Sequence, residues 1–584
     1  MEFSQYKQEH HVQLCVVGGG LSGLFAAVSA ARRGAKVLLM HDRPVLGGNA
    51  SSEIRMWVRG AAGKENRESG LIQEAELENI YRNPTMNYSV WDTVLYQLAM
   101  QEENLTLLLN TSCLGCEMAQ GRIAAVTGWQ LNSYTFHRVT ADLFIDCSGD
   151  SILAPLSGAA YRVGREDRQE FDEYGACETA DSRTMGSSCL IEARRTDHPC
   201  PFKAPDWAYV YPDDESMYLK KHNVAGSGIN FWWIELGGEQ DTIRDAQAIN
   251  EDLIKVAYGV WDHLKNHGDH GMDNWELEWI GFLPGKRESR RYEGEYILSQ
   301  RDLEEGRAFP DTVAFGGWTM DNHSPLGLRY MGYSSHHIPP HVPYEIPFRC
   351  LYSKNVPNLL FAGRNISATH MAMSSTRVMA TCSVIGQAAG TGAALALRHG
   401  CLPAEVTRLH MPELQAWLLE DGCFLPGLTR PATGKARCQI SGEAQAVLDN
   451  GWERPHGGAP NTVSIPDGQT LSVALTEPCG SLRLALDPDF SRESISADVR
   501  YQKFAMRTHV DLPEAKVKMP AHLLRSCTVS VCCKGGAQTR YTVEENRRAL
   551  VFLPLPPDAE TVTLSALTSW GGECVNFFSV DAAR

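Results

Sequence analysis

The chain lacks the features of a secreted, membrane-bound or nucleic-acid-binding protein. Residues 1–7 contain neither the basic nor the apolar region of a signal peptide, and no apolar run approaches the length of a membrane span. Lys and Arg number 54 against 70 Asp and Glu, a formal net charge of −16, and no basic run is interleaved with aromatic residues. We therefore expect a cytoplasmic protein without a membrane or nucleic-acid partner.

Cysteine and histidine patterns typical of a metal site are also lacking. The 17 cysteines are scattered and odd in number, as expected of reduced core thiols. Cys113 and Cys116 form a CxxC, for which a redox dithiol or half a zinc site is the alternative, but no second ligand pair stands at zinc spacing. His336, His337 and His341 lie in a Pro-rich stretch without a carboxylate partner and are interpreted as polar groups of a pocket wall. We therefore predict no metal site.

A glycine-rich segment between a short apolar run and a helical pattern is the clearest motif present. Its G-x-G-x-x-G spacing follows residues 14–17 and precedes an apolar helix pattern, which is the context that a dinucleotide-binding turn needs. Gly18 permits the tight turn, Gly20 lets a pyrophosphate approach the backbone, and Gly23 lets the helix pack closely on the strand. The residues of this turn assigned to the cofactor are Gly18, Gly20, Leu21, Ser22 and Gly23.

The end of the second strand departs from the dinucleotide pattern. An acidic residue that binds the adenosine ribose is expected there, but the position falls on His41, with Asp42 and Arg43 next. We assign ribose binding to the corner formed by these three residues.

Three later segments favour FAD over NAD. Gly47 and Gly48 form a second glycine pair after the ribose corner, which NAD enzymes do not need, and residues 143–150 and 358–365 are apolar strands that end in small-residue turns. A long helix pattern then begins near residue 374 and reaches about residue 397, and its N-terminus can stabilise negative charge on a reduced flavin. The further residues assigned to the cofactor are Gly47, Gly48, Asn49, Ser51, Ser148, Gly149, Asp150, Gly363, Arg364, Ser375, Thr376 and Arg377.

With these motifs the chain resembles FAD-dependent oxidoreductases related to the glutathione reductase and fumarate reductase flavoproteins, in the branch with a Gly-Gly-Asn-x-Ser-Ser-Glu element. The resemblance covers about residues 12–400 and rests on the Gly18 motif, residues 47–53, residues 285–291 and residues 363–377. It implies FAD as the cofactor and a carbohydrate-related substrate. We predict that the glycine turn binds the FAD non-covalently, and covalent attachment through a histidine or cysteine is the alternative.

The length of 584 residues predicts several domains. We expect an α/β Rossmann-like FAD-binding fold with an inserted α+β substrate domain and a C-terminal β-sandwich. The predicted boundaries are 1–160 and 351–435 for the FAD-binding domain, 161–350 for the substrate domain and 436–584 for the sandwich. Trp452, Trp570, Phe577 and Phe578 either stack on sugars or fill the core of the sandwich.

His370, Arg287 and Arg290 are the predicted catalytic residues. His370 lies between the Gly363 turn and the long helix, so we expect it near the flavin as an acid or base, or else as a group that holds the loop. The two arginines belong to a charged patch that either grips a substrate or pairs with itself at the surface.

Three functions compete on this evidence. The first is an FAD-dependent oxidoreductase that exchanges a hydride with a small hydroxylated substrate, with a sugar or glycoside derivative as the expected class. The second is a reductase of an unsaturated carboxylate, which the arginine patch would suit. The third is a carbohydrate-binding protein with a structural flavin. A small-molecule substrate is the expected partner, and a homo-oligomer remains open.

Overall fold

The computed structural model describes residues 6–63, 65–222, 231–490 and 517–583. The chain forms two compact units, the first made of residues up to 62 and from 86 to 414, and the second made of residues 63–85, 415–490 and 517–583. Part of the predicted substrate domain (223–230) and part of the predicted sandwich (491–516) lie outside the described residues. Residues 1–5, on which the expectation of no signal peptide partly rests, lie outside them as well. The four predicted domain ranges remain predictions.

A five-stranded parallel sheet is the centre of the first unit. Its strands are short, and those at its centre are buried throughout, as expected of a sheet covered on both faces. In spatial order they are Leu359–Phe361, Leu143–Asp146, Leu14–Val17, Val37–Met40 and Leu105–Leu108. This confirms the α/β Rossmann-like fold class.

Two helices cross at very short distance beside this sheet, Leu21–Arg32 and Met379–His399. A Cβ built on Gly386 would lie 2.1 Å from the carbonyl oxygen of Ser22, and one on Gly390 would lie 2.1 Å from that of Ala26. The crossing therefore requires glycine on the longer helix.

The helix Met379–His399 is also long and apolar enough to span a membrane by length and composition. The expectation that no apolar run approaches that length is therefore wrong. Its most apolar stretch is 94% buried inside the protein, so its composition is accounted for by its place in the core.

A second sheet of the first unit and several small ones complete its β-structure. The four-stranded sheet contains Tyr6–His11, Thr135–Thr140, Arg122–Gln130 and Thr111–Ala119 in spatial order. The small sheets pair Glu235–Leu236 and Gly285–Lys286 with Ser187–Ser188, Ile191–Arg195 with Trp275–Ile280, Arg290–Tyr292 with Tyr161–Val163, Thr312–Gly316 with Tyr344–Pro347, and Met320–His323 with Ser335–Ile338.

The remaining helices of the first unit lie between these strands. Ala246–Asn266 is the longest of them, and its buried face, which includes Trp261, packs in a cluster with Phe231 and Trp275. The others with α-helical geometry are Tyr88–Met100, Leu153–Ser157, Arg168–Phe171, Gln300–Glu305, His370–Thr376 and Pro403–Glu405.

The second unit contains two antiparallel sheets, consistent with the predicted sandwich. Phe577 and Phe578 are buried at 0% and 2% exposure, so they fill its core rather than offering a sugar-stacking surface. The five-stranded sheet is Ala436–Cys438, Leu471–Leu475, Ala559–Ser569, Leu524–Cys533 and Gln538–Val543, and the four-stranded sheet is Val463–Pro466, Cys574–Ala583, Ser481–Leu486 and Leu550–Pro554.

One helix of the second unit comes from far earlier in the chain than the sandwich. Leu71–Arg82 lies within the stretch predicted for the FAD-binding domain, yet the Nε of Arg547 donates to Glu78 at 2.7 Å and the hydroxyl of Tyr81 donates to Glu545 at 2.8 Å. The other helices here are Gly442–Leu448 and part of Met411–Glu420.

Candidate flavin site

A cavity of about 840 Å³ opens at the carboxyl ends of the parallel strands, where ligands bind in this class of sheet. Lining residues lie directly after three strands, at Gly18, His41 and Cys147, and two residues after a fourth, at Gly363. The predicted site residues that line it are Gly18, Gly20, Leu21, Ser22, His41, Asp42, Arg43, Gly47, Gly48, Asn49, Ser148, Gly149, Asp150, Arg287, Gly363, Arg364 and Arg377.

The three motif glycines are required for different reasons. A Cβ on Gly18, whose φ is +100°, would lie 2.5 Å from the backbone of Cys147, and one on Gly23 would lie 1.8 Å from the carbonyl oxygen of Gly18. A Cβ on Gly20 would meet nothing closer than the Cα of Gly48 at 4.0 Å. Gly18 and Gly23 therefore serve packing, whereas Gly20 keeps open a cradle on the cavity wall.

In the predicted ribose corner, His41 and Asp42 have different roles. The imidazole of His41 is buried, accepts from the backbone N–H of Gly19 at 2.9 Å through Nδ1, and lies 3.0 Å from the carbonyl oxygen of Val45 through Nε2. This ring therefore holds the glycine turn. The carboxylate of Asp42 is 59% exposed and lines the cavity, so it is the acceptor available to a ribose.

Asp150 gathers three donors on another wall of the cavity. Its carboxylate accepts from Lys286 at 2.6 Å, Ser289 at 2.7 Å and Arg364 at 2.9 Å. Burial alone would raise the pKa of Asp150, but Arg364 and Lys286 hold it below its usual value. The Nε of Arg364 is buried and has no hydrogen-bond partner among the described residues, which leaves a charged donor for an anionic ligand.

These features fit a dinucleotide with a pyrophosphate, and the sequence comparison identifies it. Residues 13–418 match the family model described as FAD dependent oxidoreductase. The chain belongs to this family of FAD-dependent oxidoreductases. No curated protein matches the sequence.

Similar solved structures have low identity to this flavoprotein. A geranylgeranyl bacteriochlorophyll reductase-like protein from Thermoplasma acidophilum is 13% identical, covers 71% of this chain and 86% of its own, and has a TM-score of 0.31. The E. coli quinol fumarate reductase FrdA is 12% identical, with 70% and 75% covered and a TM-score of 0.28. OxyS anhydrotetracycline hydroxylase from Streptomyces rimosus is 10% identical, with 69% and 66% covered and a TM-score of 0.33. These likenesses carry no argument about the reaction.

A charged network forms another part of the cavity of this FAD-dependent oxidoreductase. The ring of His323 lies 2.7 Å from Glu235 through Nδ1 and 3.2 Å from Asp321 through Nε2. Arg287 lies 3.4 Å from Glu235, and Arg377 donates to the carbonyl oxygen of Asp321 at 2.9 Å. Burial opposes ionisation of Glu235, but Arg287 and His323 lower its pKa to about 2. Two carboxylates thus stay charged and balance the two arginines.

Next to this network lies a histidine with an accessible ring. The side chain of His337 is 38% exposed and lines the cavity, and its Nε2 is 3.1 Å from the hydroxyl of Tyr333 and 3.6 Å from Asp321. Burial opposes ionisation of Asp321, but His323 and Arg377 hold its pKa well below the usual value. A charged carboxylate therefore stands ready to stabilise a protonated His337. The tryptophans that line the cavity are Trp57, Trp232 and Trp318.

His370, the predicted acid or base, is not among the residues that line the cavity. Its ring is 3% exposed, with Nδ1 3.0 Å from Glu288 and Nε2 3.0 Å from the side-chain oxygen of Asn322. Both ring nitrogens are therefore engaged inside the protein. Because Asn322 is next to Asp321 in the chain, the geometry favours the alternative role of His370, which is to hold a segment in place.

The predicted arginines separate in the same way. Arg287 lines the cavity, but Arg290 does not. The Nη1 of Arg290 donates to the carbonyl oxygen of Asp150 at 3.3 Å, and its guanidinium lies over the ring of Tyr161. Arg290 therefore holds the backbone of Asp150 in place without facing the cavity itself. Arg291 pairs with Glu288 and Glu166 at 1% exposure, so the charged patch is a buried network rather than a surface loop.

Four residues assigned to the cofactor likewise do not line the cavity. Gly23 packs against Gly18, as described, and the hydroxyl of Ser51 donates to the carbonyl oxygen of Gly48 at 2.7 Å, which fixes the second glycine turn. The hydroxyl of Ser375 donates to the carbonyl oxygen of Trp318 at 2.5 Å, and Thr376 is buried. Ser375 and Thr376 stand just before the point where the helix pattern is broken, and the assignment of all four residues to the cofactor stays a prediction.

That break also changes where the long helix meets the cavity. A short helix ends at Thr376, and the long helix begins at Met379 after Val378. Arg377, Val378, Met379 and Cys382 line the cavity. The predicted helix N-terminus therefore does face the site, a few residues later than expected, where its dipole can stabilise negative charge.

On the small-sheet side of the cavity, sequence reasoning placed His337 in a pocket wall but missed Asp321 and His323. Asp321 and His323 lie two apart on the strand Met320–His323, a spacing that places two side chains on one face. That acid–histidine spacing was the available signal. Other lining residues belong to no recognisable sequence motif and could not be found without the fold. They are Trp57, Arg59, Trp232 and Trp318.

Proposed function

We propose that this flavoprotein transfers a hydride between FAD and a small hydroxylated substrate, with a sugar or glycoside derivative as the class. The observation that carries the proposal is the composition of the cavity beside the glycine cradle. Its lining includes the aromatic side chains of Trp57, Trp232, Trp318 and Tyr333 together with hydrogen-bonding groups. Aromatic faces pack on the apolar faces of sugar rings, while the polar groups bind hydroxyls.

The pairing of Arg287 and Arg377 with acidic residues argues against an unsaturated carboxylate as the substrate. A carboxylate is held best by a guanidinium whose charge is not already balanced. Arg287 lies against Glu235, and Arg377 against Asp321. A second carboxylate at either arginine would add negative charge beside an ionised acid, which costs binding energy in a partly buried site.

His337 is the residue that we propose to take the substrate proton. Oxidation of an alcohol releases a hydride from carbon and a proton from oxygen while the C–O single bond becomes a carbonyl. A neutral imidazole can accept the proton near neutral pH, and Asp321, 3.6 Å away, then stabilises the imidazolium. His323 cannot serve as readily, since both of its ring nitrogens already face carboxylates.

Residues around the glycine cradle would hold the cofactor. Gly20 and the N-terminus of the helix Leu21–Arg32 fit the pyrophosphate, Arg364 offers a charged N–H, and Asp42 offers an acceptor to the ribose. Bound FAD would supply the hydride-accepting ring.

The proposal is tested by anaerobic bleaching of the flavin absorbance with a panel of aldoses, glycosides and simple alcohols. We expect at least one sugar-class donor to bleach the flavin. Absence of bleaching by every donor, together with oxidation of the pre-reduced enzyme by an enoate such as fumarate, would establish the carboxylate reductase instead. A flavin that reacts with neither, in a protein that still binds glycans, would establish the structural-flavin alternative.

A pair of neighbouring histidines tests the proton acceptor. His337→Gln should slow donor-driven bleaching by about 100-fold to 10,000-fold and keep FAD. His336→Gln is the matched control, because His336 is exposed and is not among the lining residues. Equal rates for the two variants would remove His337 from this role.

A cytoplasmic location and the absence of nucleic-acid and membrane partners remain predictions, checked by cell fractionation.

A further inference from the structure

Four potential metal ligands converge in the first unit, outside the flavin cavity. They are Asp214, His222, His263 and His270, and one ligand atom from each lies within 4.8 Å of the others. None of the four lines the cavity. His263 belongs to the helix Ala246–Asn266, while the other three come from the segments before and after it. No sequence motif joins them, which is why the sequence predicted no metal here.

The orientation of the three imidazoles is that of metal ligands. The Nδ1 of His263 is 2.7 Å from the carbonyl oxygen of Tyr211, and the Nδ1 of His222 is 2.6 Å from that of Lys220. The Nε2 of His270 is 3.2 Å from the carbonyl oxygen of His267. Because a carbonyl only accepts, each of these nitrogens carries the proton of a neutral ring, and the other nitrogen keeps a lone pair. A backbone carbonyl on the second nitrogen is the usual support of a ligating histidine.

Two of the six ligand–ligand distances match the edge of a tetrahedral site, and the others are within 4.8 Å. The Oδ1 of Asp214 lies 3.4 Å from the Nε2 of His222 and 3.4 Å from the Nε2 of His263. For metal–ligand bonds of about 2.0–2.1 Å, the edge of a tetrahedron is roughly 3.3–3.4 Å. The lone pairs are therefore spaced for one small cation between them.

One ligand atom is buried without a partner. The side chain of His263 is 1% exposed, and its Nε2 is buried with no hydrogen-bond partner among the described residues. Such an atom calls for an unseen ion or water. The carboxylate of Asp214 is 61% exposed, which gives an ion access from solvent.

We propose that Asp214, His222, His263 and His270 bind one zinc ion. Imidazole and carboxylate ligands suit zinc, and four protein ligands with no open position are typical of a structural rather than a catalytic site. The ion would fasten the segment that carries Asp214 and His222 to the C-terminal part of the helix Ala246–Asn266. Residues near the other end of this helix, Ala246 and Asn250 among them, line the flavin cavity, so the ion would also steady that wall.

Metal analysis of the purified full-length holoenzyme tests the site. We expect about one zinc per chain, and its removal by a chelator should lower the unfolding temperature, which added Zn²⁺ should restore. His222→Ala and His270→Ala should each weaken Zn²⁺ binding by more than the roughly 10-fold to 100-fold typical of losing a supporting group. Because these two residues are partly exposed, the proposal remains testable even where His263→Ala fails to fold.

His267→Ala is the matched control. Its ring bonds to Asp262 rather than to the cluster, and the substitution keeps the backbone carbonyl that supports His270. It should retain zinc, and FAD content should stay unchanged in every folded variant. A metal-free wild-type protein that gains no stability from Zn²⁺, or equal Zn²⁺ affinity in His222→Ala and His267→Ala, would overturn the proposal and leave a histidine–carboxylate cluster held by protons alone.

Discussion

Replacing Gly20 by alanine separates cofactor binding from folding more cleanly than any other change in the glycine motif. The backbone of Gly20 has φ −62° and ψ 177°, a conformation open to every residue, and the added Cβ would have no neighbour closer than 4.0 Å. The apoprotein should therefore be as stable as the wild type, or more stable by up to about 1 kcal/mol from reduced freedom of the unfolded chain.

The same methyl group should weaken binding of the FAD pyrophosphate. A phosphate displaced from one backbone N–H loses a charged hydrogen bond worth about 1.5–3 kcal/mol, which corresponds to roughly 10-fold to 150-fold weaker FAD binding. Gly20→Val fills more of the cradle and should yield colourless protein. Binding is measured by titrating apoprotein with FAD and following flavin fluorescence, and stability by thermal unfolding of the same apoprotein.

Gly23→Ala is the control with the opposite signature. Its Cβ would lie 1.8 Å from the carbonyl oxygen of Gly18, so the helix must move, at a cost of at least the 1–3 kcal/mol of ordinary overpacking. Gly23→Ala should therefore lower the thermal stability of the apoprotein, which Gly20→Ala should not. Stoichiometric FAD in Gly20→Val would refute the cradle, and a destabilised Gly20→Ala apoprotein would refute the claim that this side of the turn is open.

Three further outcomes are expected. Burial opposes ionisation of Glu453, but Arg483 and its neighbours lower the pKa of this carboxyl group to about 2. The native state therefore loses about 3 kcal/mol of stability as pH falls from about 4.5 to 2. Glu453→Gln should flatten this part of a pH–stability curve, and an unchanged slope would contradict the assignment. A chain truncated after residue 435 should aggregate, because the helix Leu71–Arg82 loses the sandwich residues that bind it; a soluble, monodisperse, yellow fragment by gel filtration would show otherwise. Asp42→Ala should weaken FAD binding about 10-fold without changing thermal stability of the apoprotein, and unaltered affinity would return ribose binding to another residue.

The cofactor half of this protein could be predicted from the sequence because it depends on local backbone geometry. A glycine turn between a strand and a helix has few solutions, so the spacing of Gly18, Gly20 and Gly23 in that context predicted the dinucleotide, and the later glycine turns added the rest of the cavity wall. The apolar run at residues 14–17 matches the strand Leu14–Val17 to the residue, since its length and the glycine turn after it are local signals.

Only the tertiary structure decided which polar side chains face the cavity. His370 lies close in sequence to the flavin-side helix, yet both nitrogens of its ring face Glu288 and Asn322. The sequence offered His336, His337 and His341 together as polar groups of a pocket wall, and the structure brings only His337 of these three to the cavity. The helix Leu71–Arg82 joins the sandwich across more than 400 residues of chain for a similar reason. Side-chain direction and long-range packing depend on which elements meet, and sequence spacing does not encode that.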